Sequence, residues 1–106
     1  MTPLSLEEVP SRLGELKSTL YEKYGAKEIQ LFGSIARKQQ NAESDIDILV
    51  EFEDDANLFD LTGLALFLED ELSQKVNVVS RRALREELRA SILKEAISIR
   101  ETIDYT

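Results

Sequence analysis

The apolar positions of this chain switch between two periods. Leu13, Leu16, Leu20 and Tyr24 recur three or four residues apart, one stripe of a helix. Pro10 suits that helix's first turn, and Gly25 is its stop signal. Ser5 to Glu8 reads as a helical turn ahead of it, and Gly14 weakens the helix without breaking it. Lys27 to Phe32 predicts a first strand, with Ile29, Leu31 and Phe32 apolar. A polar loop, Lys38 to Ser44, leads to a second strand from Asp45 to Phe52. Beyond its acidic start, that strand is apolar enough for burial on both faces.

Asn57 predicts a helix cap, with Asp60 favourable in the first turn. Leu61, Leu64, Leu68 and Leu72 form one stripe of that helix. Phe59, Leu66 and Phe67 spread apolar surface to a second side, which suits core or a partner surface. Lys75 to Val79 predicts a third strand. Ser80 to Leu84 turns into a last helix, whose stripe Leu88, Ile92, Ala96, Ile99 and Ile103 runs to the end. With a short helix starting near Ser34, the order is α-β-α-β-α-β-α. That order predicts an α/β (α+β) architecture, a short sheet of at least three strands with helices packed on it.

A length of 106 residues predicts one domain over 1–106, with a core over 26–80 and a helical region over 81–106. The chain has neither Cys nor His, so thiolate and imidazole chemistry are excluded. No apolar run approaches a membrane span, and no signal-peptide pattern opens the chain, so a cytoplasmic protein is expected. A net charge of −8 argues against direct nucleic-acid binding through a broad basic surface. It suits a basic protein partner.

Chemistry concentrates between Leu31 and Val50. Gly33-Ser34 ends the first strand, and ten residues separate it from Asp45 and Asp47. Strand alternation puts both carboxylates on one face. At roughly 5 Å they repel by about 3 kcal/mol at an effective dielectric near 20. A cation between them relieves that, and hard oxygen donors suit Mg²⁺ bound together with a triphosphate. Gly33 allows close backbone approach to a ligand. Ser34 can cap a short helix whose N–H groups face a phosphate, with Arg37 one turn further on. Phosphate cradle and metal carboxylates together make a kit for phosphoryl or nucleotidyl transfer.

Gly33-Ser34, the spacing, and Ser44-Asp45-Ile46-Asp47-Ile48-Leu49-Val50 resemble the signature of the DNA polymerase β-type nucleotidyltransferase superfamily. Leu31 to Arg37 and Leu58-Phe59-Asp60-Leu61 resemble its minimal MNT members, antitoxin partners of HEPN toxins. The likeness covers about residues 11–100. It implies a small polymerase β-like fold with a mixed sheet. It implies transfer of AMP from ATP, with Mg²⁺ and a two-metal site, to a tyrosine of a HEPN-type toxin. A homo-oligomer is compatible with it. Gly33, Ser34 and Arg37 would meet the nucleotide, and Asp45 and Asp47 would hold Mg²⁺.

The third strand of such proteins carries a third acid. Here the stretch is Lys75-Val76-Asn77-Val78-Val79, so Asn77 stands in the third catalytic position. An amide can coordinate but cannot usefully accept a proton. The alternative is therefore a degraded nucleotide-binding module that neutralises its partner by binding alone. A polar Asn77 between β-branched neighbours, in a central strand, is expected to reach the Asp45/Asp47 face. Lys38 also departs from the pattern, at a position that is often Gly.

Overall fold

The helical stripe near the N-terminus is buried because its spacing keeps Val9, Leu13, Leu16 and Leu20 on one side. A computed structural model describes residues 8–33 and 45–100. In it, α1 spans Glu8–Tyr24 with Pro10 in the first turn. Gly25 closes the helix at φ 70°, its N–H donating to the Tyr21 carbonyl at 2.9 Å. The chain continues as β1 (Ala26–Phe32), β2 (Ile46–Phe52), α2 (Leu58–Leu72) and β3 (Val76–Ser80). A 3₁₀ turn (Arg81–Ala83), α3 (Glu86–Glu95) and β4 (Ile97–Ser98) complete it. The short helix expected from Ser34 and the polar loop over 38–44 lie outside the described residues. No helix among the described residues is long and apolar enough to cross a membrane.

The sheet is mixed, in the order β3-β2-β1-β4. β1 pairs antiparallel with both β2 and β4, while β2 and β3 run parallel. Pleating sends Ile46, Ile48 and Val50 to one face of β2, where Leu64, Leu68 and Leu72 of α2 and Leu13 and Leu20 of α1 join one apolar cluster. Asn57 anchors α2 with a capping box. Its side-chain oxygen accepts from the Phe59 and Asp60 N–H groups, and the Asp60 carboxylate accepts from the Asn57 N–H at 2.9 Å. Arg12 of α1 bonds Glu71 of α2 and pins the helix pair at its far end.

The parallel crossovers β2-α2-β3 and β3-α3-β4 advance in opposite directions across the sheet. Leu49, which pleating sends to the face opposite Ile48, is 1% exposed.

Two sequence expectations need correction. The last helix does not run to the end: it stops at Glu95, and Ile97–Ser98 forms an edge strand on β1. The region from 81 is thus not wholly helical. Tertiary pairing wins over helical periodicity there, because the Ile99 N–H donates to the Ile29 carbonyl at 2.9 Å and Ile99 enters the core. β3 is an edge strand and not a central one, and Asn77 is exposed, so desolvation does not set its direction. Of the two uses open to the second side of α2, Phe67 takes the core one: it packs on Tyr24 with ring centres 5.9 Å apart.

Candidate active site

The second strand begins one residue after Asp45, so its pleat decides where Asp47 points. Ile46 and Ile48 face the helices α1 and α2, which leaves Asp47 on the other face. Register sets Asp47 between Phe32 of β1 and Asn77 of β3. The Asn77 Nδ2 donates to Asp47 Oδ1 at 3.2 Å. Asn77 therefore reaches the acid that the sequence reading assigned it, by strand register rather than by burial.

Gly33 follows Phe32 with φ 70°, in the left-handed region where side chains are strained. A Cβ there would fall 2.2 Å from Asp47 Oδ2 and 3.1 Å from Asp47 Cγ. The carboxylate of Asp47 thus lies against the Gly33 backbone on one side and under the Asn77 amide on the other. Asp45 is exposed just ahead of the strand. The Ile46 N–H donates to the Lys75 carbonyl at 3.0 Å, so the chain carrying Asp45 runs beside Lys75. Sequence reasoning passed over Lys75; alternation from Asn77 puts it on the same face of the strand's approach. Ser34 and Arg37, the other two candidate phosphate contacts, lie outside the described residues, as does Lys38.

The opposite end of β2 has different chemistry. Arg81 Nη1 donates to Glu51 Oε2 at 3.5 Å, and Arg82 Nη2 to Asp54 Oδ1 at 3.1 Å. A cleft of about 580 Å³ opens there, bordered by Phe52, Leu58, Leu61 and Arg89. Four residue steps along β2, roughly 13 Å, separate Glu51 from Asp47. The cleft therefore does not contain the Asp47 site.

Fold and site together define a small α/β domain that seats a carboxylate between a glycine backbone and an amide at one end of its sheet. Residues 13–99 match the family model of the nucleotidyltransferase domain. The chain is 35% identical over 99 residues to the protein adenylyltransferase MntA of Thermococcus cleftensis, covering 93% of this chain and all of that one. A solved structure provisionally described as a minimal nucleotidyltransferase superposes with a TM-score of 0.79 at 39% identity, over 89% of this chain and 95% of that one. A chain from the complex of a tri-AMPylated Shewanella oneidensis HEPN toxin with its MNT antitoxin superposes with a TM-score of 0.60 at 26% identity. That match covers 86% of this chain and 72% of the other. The chain belongs to the nucleotidyltransferase domain family and is a minimal nucleotidyltransferase related to MntA.

Proposed function

We propose that this chain transfers AMP from ATP to a tyrosine of a HEPN-type toxin and is the antitoxin of that pair. Its relationship to an adenylyltransferase, and its fold likeness to a chain from an AMPylated toxin complex, support the reading. The observation that carries it is the Asp47 carboxylate, seated between the Gly33 backbone and the Asn77 amide on the open side of the sheet end.

The residues present fit Mg²⁺. Asp45 and Asp47 supply carboxylate oxygens and Asn77 an amide oxygen, all hard donors of the kind this ion takes. Among the described residues no group of three acids, His or Cys converges, which suits a site completed by triphosphate oxygens. We assign Asp45 and Asp47 to the metal, and Gly33, Ser34 and Arg37 to the phosphates. When bound, Mg²⁺ neutralises triphosphate charge. In the reaction the tyrosine oxygen bonds to the α-phosphorus, the bond to the β-phosphate oxygen breaks, and pyrophosphate leaves. Asn77 cannot take the phenolic proton, which passes to solvent or to a carboxylate of the pair.

Calorimetry of ATP with and without Mg²⁺ tests the site. Binding that depends on Mg²⁺ is the expected result; equal, negligible heats in both would overturn the assignment. Labelled ATP and the HEPN partner then test the transfer, read by label on the partner's tyrosine.

A second reading concerns the strength of catalysis. The amide at the third position leaves the site without its usual proton acceptor. The antitoxin would then neutralise its partner mainly by occupying it. Neutralisation that survives loss of Asp45 and Asp47 supports that reading.

A further inference from the structure

The cleft of about 580 Å³ lies at the carboxyl ends of two neighbouring parallel strands, with Phe52 closing β2 and Ser80 closing β3. Open α/β sheets leave room for ligands at that end of their strands. The volume falls inside the range of about 300–1,000 Å³ typical of small-molecule sites.

Its charge runs against that of the chain. The whole sequence has 13 Lys and Arg against 21 Asp and Glu. The cleft gathers Lys27, Arg81, Arg82 and Arg89 against three acids, Glu51, Glu53 and Asp54. Those acids already have partners. Arg81 donates to Glu51 and Arg82 to Asp54, while Glu53 accepts from the Tyr21 hydroxyl. Lys27 and Arg89 take no part in the ion pairs among the described residues. An irregularity in the sheet also places Lys27. Ala26 pairs with Phe52 and Glu28 with Glu51, so Lys27 is the extra residue of a bulge. A bulge re-aims one side chain, and this one borders the cleft. The remaining walls are apolar: Phe52, Leu61 and Leu58, the last 79% exposed. A bare anion would satisfy the cations and leave Leu58 in water. An anion with an apolar body answers both halves of the lining, and a flat ring stacks on Phe and Arg side chains alike.

We propose that this cleft binds a phosphate monoester carrying a flat ring system, with the phosphate at Lys27 and Arg89 and the rings against Phe52, Leu58 and Leu61. It is a second site, separate from Gly33, Asp47 and Asn77, so the inference stands or falls independently of the transfer reaction.

Methyl NMR of the full chain with labelled leucines, in EDTA, tests it. AMP, phenyl phosphate, inorganic phosphate and adenosine are titrated separately. AMP and phenyl phosphate should shift the Leu58 and Leu61 methyls saturably and leave those of Leu13 and Leu20 in place. The tighter of the two tells whether a nucleotide or a smaller aryl phosphate is the better occupant, and either supports the site. Inorganic phosphate and adenosine, each lacking one half, should bind at least about tenfold more weakly. Lys27→Ala with Arg89→Ala should weaken AMP by at least about tenfold. Both side chains are exposed, so thermal melts of that variant should match wild type. Asp45→Asn with Asp47→Asn should leave the AMP titration unchanged, because the cleft lies at the other end of β2. Four results would overturn the proposal. They are no saturable shift at Leu58 and Leu61, inorganic phosphate binding as tightly as AMP (an adventitious ion only), unchanged AMP affinity in the Lys27→Ala/Arg89→Ala variant, or loss of the response in the Asp45→Asn/Asp47→Asn variant.

Discussion

The two faces of β2 differ by one residue of register and in the charge they carry, although Leu49 on the Asp47 face is also buried. Ile46, Ile48 and Val50 are completely buried against α1 and α2. Asp47 and Glu51, each next to one of them, face the other way and carry the charge. One pleated backbone holds both sets. The buried face supplies the free energy that keeps the strand straight and in register. The opposite face uses that rigidity to hold a carboxylate beside Asn77 and Gly33 without stabilising the fold through it. Substitutions on the two faces should therefore separate stability from chemistry.

The largest effect is expected from Asp45→Asn with Asp47→Asn. Removing both carboxylates should abolish Mg²⁺-dependent ATP binding and lower label transfer by about a thousandfold or more, roughly 4 kcal/mol of transition-state stabilisation. The melting temperature should not fall, because neither residue is buried. A fall of many degrees would break the separation between the faces.

Ile48→Ala makes the reverse test. Ile48 is 0% exposed and sits among Leu31, Val78 and the α2 leucines. Truncation should cost about 3 kcal/mol. In a domain of this size that lowers the melting temperature by roughly 15 °C. Well below the transition, ATP affinity should stay within about twofold of wild type. Differential scanning fluorimetry and calorimetry on the same sample check both halves.

Much of this division was legible in the sequence, because the features that carry it are local. Asp45-Ile46-Asp47-Ile48 announces alternation, Gly25 and Asn57 announce helix ends, and Leu64, Leu68 and Leu72 announce the buried side of α2. The strand β4 was not legible. Leu88, Ile92 and Ala96 keep helical spacing, and nothing local says that Ile97 and Ser98 leave it. What captures them is the free edge of β1, distant in sequence, where Gln30 Nε2 donates to Ser98 Oγ at 3.2 Å. The Asn77–Asp47 contact was legible for an incomplete reason. Burial in a central strand was the argument, yet parallel register on an edge strand makes the contact. The pairing of Glu51 with Arg81 was illegible because it too depends on that register.

Asn77→Asp asks how far the active face is limited by one missing charge. A carboxylate at this position restores a proton acceptor and a third anionic donor. Transfer of label to the partner should rise by about a hundredfold, roughly 2.7 kcal/mol. The metal-free protein should become less stable, because three carboxylates repel and the hydrogen bond from Nδ2 to Asp47 is lost. Added Mg²⁺ should reverse that loss. Strong labelling by wild type, unchanged by the substitution, would show that this position does not limit the reaction.

The smallest expected effect comes from Gly33→Ala, and it probes the one place where backbone and active face meet. Two penalties arise together. The left-handed φ of 70° costs an alanine about 1–2 kcal/mol. The new methyl also falls 2.2 Å from Asp47 Oδ2, so the carboxylate must rotate away from its present position. The first penalty lowers stability alone; the second also weakens Mg²⁺-dependent ATP binding. Asp47→Ala separates them in a double-mutant cycle. Without the carboxylate, Gly33→Ala should still lose the backbone part but recover the remainder, leaving a coupling of about 0.5–1 kcal/mol measured by urea unfolding. Additive losses would mean that Asp47 turns aside freely. Its seat against Gly33 would then be incidental to the chemistry of that face.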